Sequence, residues 1–241
     1  MSRRAWSALF LAGFVATGCG LGTDAPLDPG TGDEGGGEVQ VTRGSLLPWA
    51  EGNRWTYRVT EAGEVSEKET TVGPLEAVGG TGPLQGERAH RVTSRKSSGA
   101  ITLSWQVVSG ARVVRYREQS FEAGATTAKD DEWWNPAKLH VDMSSEHTVK
   151  GASWVEIYQE TKQKAGKTPS TETTRDLWTV LSEAESVTVP AGTFTAVVLR
   201  KTGTSKTKTY WFVRGIGKVK ETGEETEELL SYEVAPESST D

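Results

Sequence analysis

Ile101-Thr102-Leu103-Ser104-Trp105-Gln106-Val107 decides the fold class of this chain, because apolar and polar side chains alternate along it without a break. Successive side chains of a strand point to opposite faces, so period two over several residues reads as a β-strand with one face buried and one wet. The alternation recurs. Trp55, Tyr57 and Val59 are separated by Thr56 and Arg58; Leu139, Val141 and Met143 by His140 and Asp142; Leu230, Tyr232 and Val234 by Ser231 and Glu233. Further strand candidates span 88–95, 112–117, 153–161, 177–181, 195–201 and 208–214. Only 179–185 approaches a helical period, and it has no caps.

The connections are short. Val189-Pro190-Ala191-Gly192-Thr193 places proline second in a type I turn and a glycine where a left-handed residue is needed, which predicts a hairpin joining 186–189 to 194–200. Arg214-Gly215-Ile216-Gly217 and Ser109-Gly110 read the same way. Tight turns without crossover helices give a single antiparallel meander. About ten strands in one sheet must curl or close. The expectation is an all-β domain, a strongly curved half-barrel or open barrel, preceded by a disordered tether.

The ends of the chain carry a different signal. Met1-Ser2-Arg3-Arg4 is basic, Ala5 to Ala16 is apolar, and Ala16-Thr17-Gly18 precedes Cys19, the one cysteine of the 241 residues. The apolar run is shorter than the roughly 20 residues of a spanning helix and reads as an export signal. Small residues followed by cysteine resemble the lipobox of bacterial lipoproteins, which implies lipidation at Cys19 and cleavage before it. Gly20, rather than an aspartate, then implies the outer membrane. Ala16-Thr17-Gly18 also satisfies an ordinary secretory cleavage pattern. A lone thiol in an oxidising compartment favours the lipidated reading. Gly20 to Glu38 is rich in glycine, proline and acidic residues and has no aromatic, the composition of a flexible tether. The predicted organisation is a signal over 1–18, a lipidated cysteine and tether over 19–38, a β domain over 39–235 and a disordered tail over 236–241.

Charge narrows the partners. Removing Arg3 and Arg4 from 27 basic side chains leaves 25 against 33 acidic ones, a net charge of −8 for the processed chain. That balance opposes nucleic-acid binding and any electrostatic grip on anionic lipid. Membrane attachment would run through the anchor at Cys19.

Three blocks of sequence stand out: Leu47-Pro48-x-x-x-Gly52-Asn53-x-Trp55-x-Tyr57, then Val189-Pro190-Ala191-Gly192-Thr193-Phe194, then Tyr210-Trp211-Phe212-x-x-Gly215-x-Gly217-x-Val219-Lys220. In this order they resemble a family of uncharacterised bacterial lipoproteins of the myxobacterial type. Members are thought to resemble lipoprotein-carrier half-barrels that shield acyl chains on a concave sheet. The resemblance implies no catalytic residues. Read physically, the blocks are a strand start and two hairpins.

Candidate chemistry is sparse. His140 and Asp142, two apart on a strand, share a face, and His147 is near; zinc needs three or four ligands, and the third histidine, His90, is remote in sequence. Polar residues on a wet face explain the same pattern, so no metal and no cofactor are expected. No serine sits in a nucleophile elbow, and Gly215-Ile216-Gly217 is a turn rather than a dinucleotide loop. Asp130-Asp131-Glu132 and Glu224-Glu225-Thr226-Glu227-Glu228 read as solvated charge runs. The chain is not expected to be an enzyme.

Trp133-Trp134 is the odd pair, since adjacent strand residues cannot enter one core together. They are the candidate contacts for a ligand or partner, with packing under a loop as the structural alternative. The expected function is a membrane-anchored envelope module, non-catalytic, that docks a protein or glycan or serves structurally. The alternative is a half-barrel holding an apolar ligand such as an acyl chain. Trp105, Trp154, Trp178 and Trp211 discriminate: converging, they fill the concave face; lining a groove above roughly 300 Å³, they leave room for a ligand.

Overall fold

A computed structural model describes residues 44–235. Cys19, the signal and the tether lie outside the described residues. Twelve strands run in chain order: β1 Arg54–Glu61, β2 Glu64–Ala77, β3 Arg88–Lys96, β4 Ile101–Ser109, β5 Arg112–Phe121, β6 Asp130–Asp142, β7 Ser153–Lys164, β8 Ser170–Val189, β9 Gly192–Thr202, β10 Thr207–Val213, β11 Gly217–Thr222 and β12 Thr226–Glu233. Each pairs antiparallel with its neighbours in sequence, as a meander requires.

The barrel is closed rather than open. Its first and last strands pair from Arg54↔Glu233 to Thr60↔Thr226, which leaves no free edge. Closure removes the row of unpaired backbone groups that an edge strand presents. Among the strands not anticipated is β2, whose Glu- and Thr-rich sequence lacks an apolar alternation. The segment 179–185 is strand, not helix: it lies inside the 20-residue β8, whose pairing with β9 shifts at Val180/Ser182 and Ser182/Glu185.

The predicted hairpins form. Val189 pairs with Gly192, and Ile216 N donates to Val213 O at 3.0 Å. Gly217 has φ +110°, and a Cβ there would stand 3.1 Å from Trp55 Nε1, so both backbone angle and packing require glycine.

In β4 the faces are reversed relative to the expectation. Gln106, 2 % exposed, donates to Ser104 and meets His140 inside the barrel, while Trp105 packs on the outer face with Val78 and Ala89. The β2–β3 connection covers that outer face, and this is why an apolar stripe can point away from the main core. Polar residues are thereby turned inward, the first sign of what the interior contains.

Candidate functional site

One end of the barrel is filled. Leu46, Leu47 and Trp49, just before β1, enter the main core. Trp49 stacks on Trp55 with ring centroids 5.4 Å apart. Trp55 Nε1 donates to Ile216 O at 2.6 Å, Tyr57 Oη to Lys218 O at 2.9 Å, and Gly215 N to Ser45 O at 2.8 Å. Asn53 ties the segment at both sides, donating to Pro48 O at 2.8 Å and accepting from Ala235 N at 2.9 Å. The residues of the first and third sequence blocks thus grip one another and plug this end.

Across the middle runs a row of stacked rings. His147, Trp154, Trp178, Tyr210 and Phe212 follow one another with centroid separations of 3.9, 6.1, 5.8 and 5.9 Å. Trp178 and Tyr210 face what lies beyond: a chamber of about 810 Å³ extending to the β9–β10 turn at Gly203–Lys206. Seven lysines and arginines and eight acidic residues line it. A second hollow of about 580 Å³, by Glu51–Asn53 and Tyr232–Ala235, is an open surface dip without converging side chains.

On the β10–β12 side of the chamber the charges form a tight network. Lys218 contacts Glu221 and lies 2.7 Å from Glu227; Glu227 also contacts Lys68, and Glu221 lies 2.6 Å from Lys208. Burial opposes ionisation of Glu227, yet Lys218 and Lys68 overcome it and hold the carboxyl below its ordinary range. Burial likewise opposes the charge on Lys218, but Glu221 and Glu227 together raise it well above the usual lysine value. Lys68 goes the other way: burial and the nearby Lys218 outweigh Glu227, its one contacting carboxylate, and the more distant Glu221. The lysine with two carboxylate partners keeps its proton more strongly than the lysine with one.

On the β5–β9 side pairing is looser. Asp176 accepts from Tyr158 Oη at 2.8 Å and lies 3.4 Å from Lys201 Nζ. Glu160 accepts from Trp134 Nε1 at 2.9 Å and from Lys138 at 3.3 Å. Burial lowers Lys201 to about 8; Lys138 and Arg115 push the same way, and Asp176 only partly offsets them. His140 meets Trp49 edge-on at 5.7 Å, and its Nδ1 is 2.7 Å from Gln106 Oε1. Burial, then Arg115, Lys218, Lys201 and Lys68, keep its imidazole neutral, well below the ordinary histidine value.

The residues singled out from sequence are dispersed. His140 and Asp142 do not converge: Asp142 instead binds His147 Nδ1 at 2.9 Å and Ser144 Oγ at 2.7 Å. Among the described residues no group of three or more His, Cys, Asp or Glu has metal-site geometry. Trp133 and Trp134 do face opposite ways. Trp133 sits under the β2–β3 connection, where a Cβ on Gly82 would reach its Cδ1 at 2.7 Å. Trp134, 1 % exposed, is an inner wall against Lys138 and Arg115. Trp154 and Trp178 stack inside, whereas Trp105 and Trp211 bond outward-facing acids, Glu76 and Glu185.

The chamber residues escaped the sequence reading. Glu227, placed in a solvated run, is 2 % exposed. A signal existed: Glu227 is two residues before Leu229 and so shares its inward face.

No protein-family model and no curated protein matches the chain. Two solved structures resemble it in fold. One, from Bacteroides fragilis, is described as an exported protein with a YmcC-like fold; it is 12 % identical, with a TM-score of 0.44, over 79 % of this chain and 99 % of its own. The other, described as a lipoprotein from Parabacteroides distasonis, is 10 % identical with a TM-score of 0.36, over the same shares. At these values neither likeness assigns a function to this chain.

Proposed function

We propose that this chain is an exported, lipid-anchored and non-catalytic binding module, whose barrel receives a small polar solute bearing charged groups. The observation that carries the reading is the 810 Å³ chamber, closed at one end by the Leu46–Trp55 plug and lined by paired but solvent-reached charges. Its size falls within the usual range of small-molecule sites, roughly 300–1,000 Å³. An acyl chain is a poor occupant. Entering would strip water from lysines and carboxylates without returning a hydrogen bond, and each such loss is costly.

The outer surface supports a barrel bathed in water. Arg54 pairs with Glu233, Arg58 with Glu228 and Lys96 with Glu61, all on outward or rim positions. Barrels that cross a membrane present an apolar band there instead. Attachment would therefore rest on Cys19, and the outer membrane remains the proposed location.

Two experiments separate the parts of this reading. Replacing Cys19→Ser should abolish fatty-acid labelling and release the protein from the membrane fraction; retention would defeat the anchor. For the chamber, titration of the protein with pools of polar metabolites should shift the Trp178 indole resonance, while fatty acids leave it unmoved. A response to fatty acids alone would reverse the assignment.

A further inference from the structure

We propose that the chamber floor is a seat for a compact oxyanion, the carboxylate or phosphate group of a soluble ligand, gripped by Arg115, Lys138 and Lys201 beside Trp178. This deepens, and rests on, the reading of the chamber as a polar ligand site.

Hydrogen-bond accounting carries the inference. Three cations arrive from three different strands, β5, β6 and β9, each laid against an aromatic wall. Lys138 Nζ is 4.8 Å from the Trp134 ring and 5.4 Å from that of Tyr158, Arg115 Cζ is 5.8 Å from Trp134, and Lys201 Nζ is 5.8 Å from Trp178. An ammonium offers three donors and a guanidinium five. Each cation faces one carboxylate, and two of the three carboxylates also serve another donor. Asp176 takes the Tyr158 hydroxyl at 2.8 Å and stands 3.4 Å from Lys201; Glu160 takes the Trp134 indole at 2.9 Å and Lys138 only at 3.3 Å. Glu118 engages Arg115 through Nη1. Arg115 Nε and Trp178 Nε1 are buried and have no hydrogen-bond partner.

The floor thus keeps two buried donors, Arg115 Nε–H and the Trp178 indole N–H, without an acceptor, a state that costs free energy while they stay unmet. An ionised carboxylate or phosphate brings acceptors only, and bonds to it from charged donors are the strong kind. The electrostatics agree. Lys138 and Arg115 add to the burial that lowers Lys201, and Arg115, Lys218, Lys201 and Lys68 add to the burial that keeps His140 neutral. A negative group among these cations relieves their repulsion. The mouth differs, because Lys206, which meets Glu224 at 2.8 Å, and Lys162, which meets Glu132, are more exposed to water and have no buried donor without an acceptor beside them. An anion therefore gains more at the floor than at the rim.

The test is calorimetric titration of the full-length protein at low ionic strength with sodium phosphate, with sodium acetate, and with trehalose as an uncharged polar solute. Nitrogen-15 spectra of the Arg115 Nε–H and Trp178 indole follow the same titrations. One saturable site per barrel for phosphate or acetate is expected, with both N–H signals moving. Phosphate alone assigns a phosphate-bearing ligand, and acetate alone a carboxylate. Arg115→Gln and Lys201→Met should each weaken binding about tenfold or more, and the exposed Lys206→Gln by less than about twofold. Neither anion saturating by about 50 mM, or binding that survives both floor variants, overturns the proposal. Should a variant fail to fold, the wild-type N–H shifts still decide it. If trehalose or another neutral solute enters while the anions do not, the polar chamber stands and the oxyanion seat falls. If no solute enters, both fall.

Discussion

Toward the β10–β11 turn, the barrel interior holds Leu46, Leu47, Trp49, Trp55 and Phe212; toward the β9–β10 turn, other strands of the same sheet carry Glu221, Lys201, Asp176 and Glu160. The two halves share one wall and one topology, yet they are held by different physics. The plugged half is stabilised by removal of apolar area from water, at roughly 25 cal/mol per Å². The chambered half keeps water or ligand access and compensates each buried charge with a partner. A barrel of twelve strands is wide enough to leave a lumen unless something fills it. Here the segment before β1 fills one end, and the other end is left to polar contents. Division of labour inside a single closed sheet lets one half carry stability while the other holds groups that a packed core would exclude.

The contrast can be broken first at the plug. Trp55→Ala removes a ring that is 1 % exposed, its stack on Trp49 and its bond to Ile216 O, and should cost about 3–5 kcal/mol in urea unfolding, with little change between pH 5 and 8. In the chamber, Glu227→Gln leaves Lys218 and Lys68 short of a carboxylate and should cost about 2–4 kcal/mol at pH 7. The sign of its pH dependence follows from linkage. The folded-state carboxyl titrates below its ordinary value of 4.5, so its contribution is complete above the ordinary carboxylate range and fades as pH falls through the acid region. The variant should therefore unfold with a shallower acid dependence than the parent; parallel acid curves would contradict the network.

Gly217→Ala, which places a Cβ against Trp55 at φ +110°, should cost about 1–3 kcal/mol, read from the same urea curves. Lys201 sharpens the comparison without a large stability change. Its amine should titrate near 8 by carbon-13 NMR of labelled lysines, and Asp176→Asn should lower that midpoint further, since Asp176 is the carboxylate that supports the charge. Because the unfolded chain binds this proton more readily, burying Lys201 costs the folded state most below about pH 8, and that cost fades as pH rises toward 10.5. The smallest effect is expected outside. Ile157, 58 % exposed on β7, can become threonine within about 0.5 kcal/mol.

Strands and turns were legible where alternation and glycine chemistry are local properties, as in β1, β4 and the Val189–Gly192 hairpin. Closure was not, because the β1–β12 pairing joins residues some 180 positions apart and no local pattern encodes it. The inward charges were hidden for a related reason. Glu227 and Lys218 look like surface residues until the register sets them on the face of Leu229 and Tyr57. Gln106 and Trp105 were assigned to the wrong faces because hydrophobicity alone chooses the inside, and here the β2–β3 connection supplies a second apolar shelter outside. The two tryptophans proposed as contacts were correctly read as facing opposite ways, but the residues that build the chamber around Trp134 are charged, a class the pattern assigned to solvent.

The most direct test of the chamber is native mass spectrometry of the protein isolated from its own cells, before and after exposure to the polar extract of the same cells. The account predicts a reproducible adduct of small polar mass, diminished by Arg115→Gln and unaffected by Ile157→Thr. A bare protein mass after exposure to the extract, or an adduct of lipid mass only, would contradict a polar ligand in the barrel.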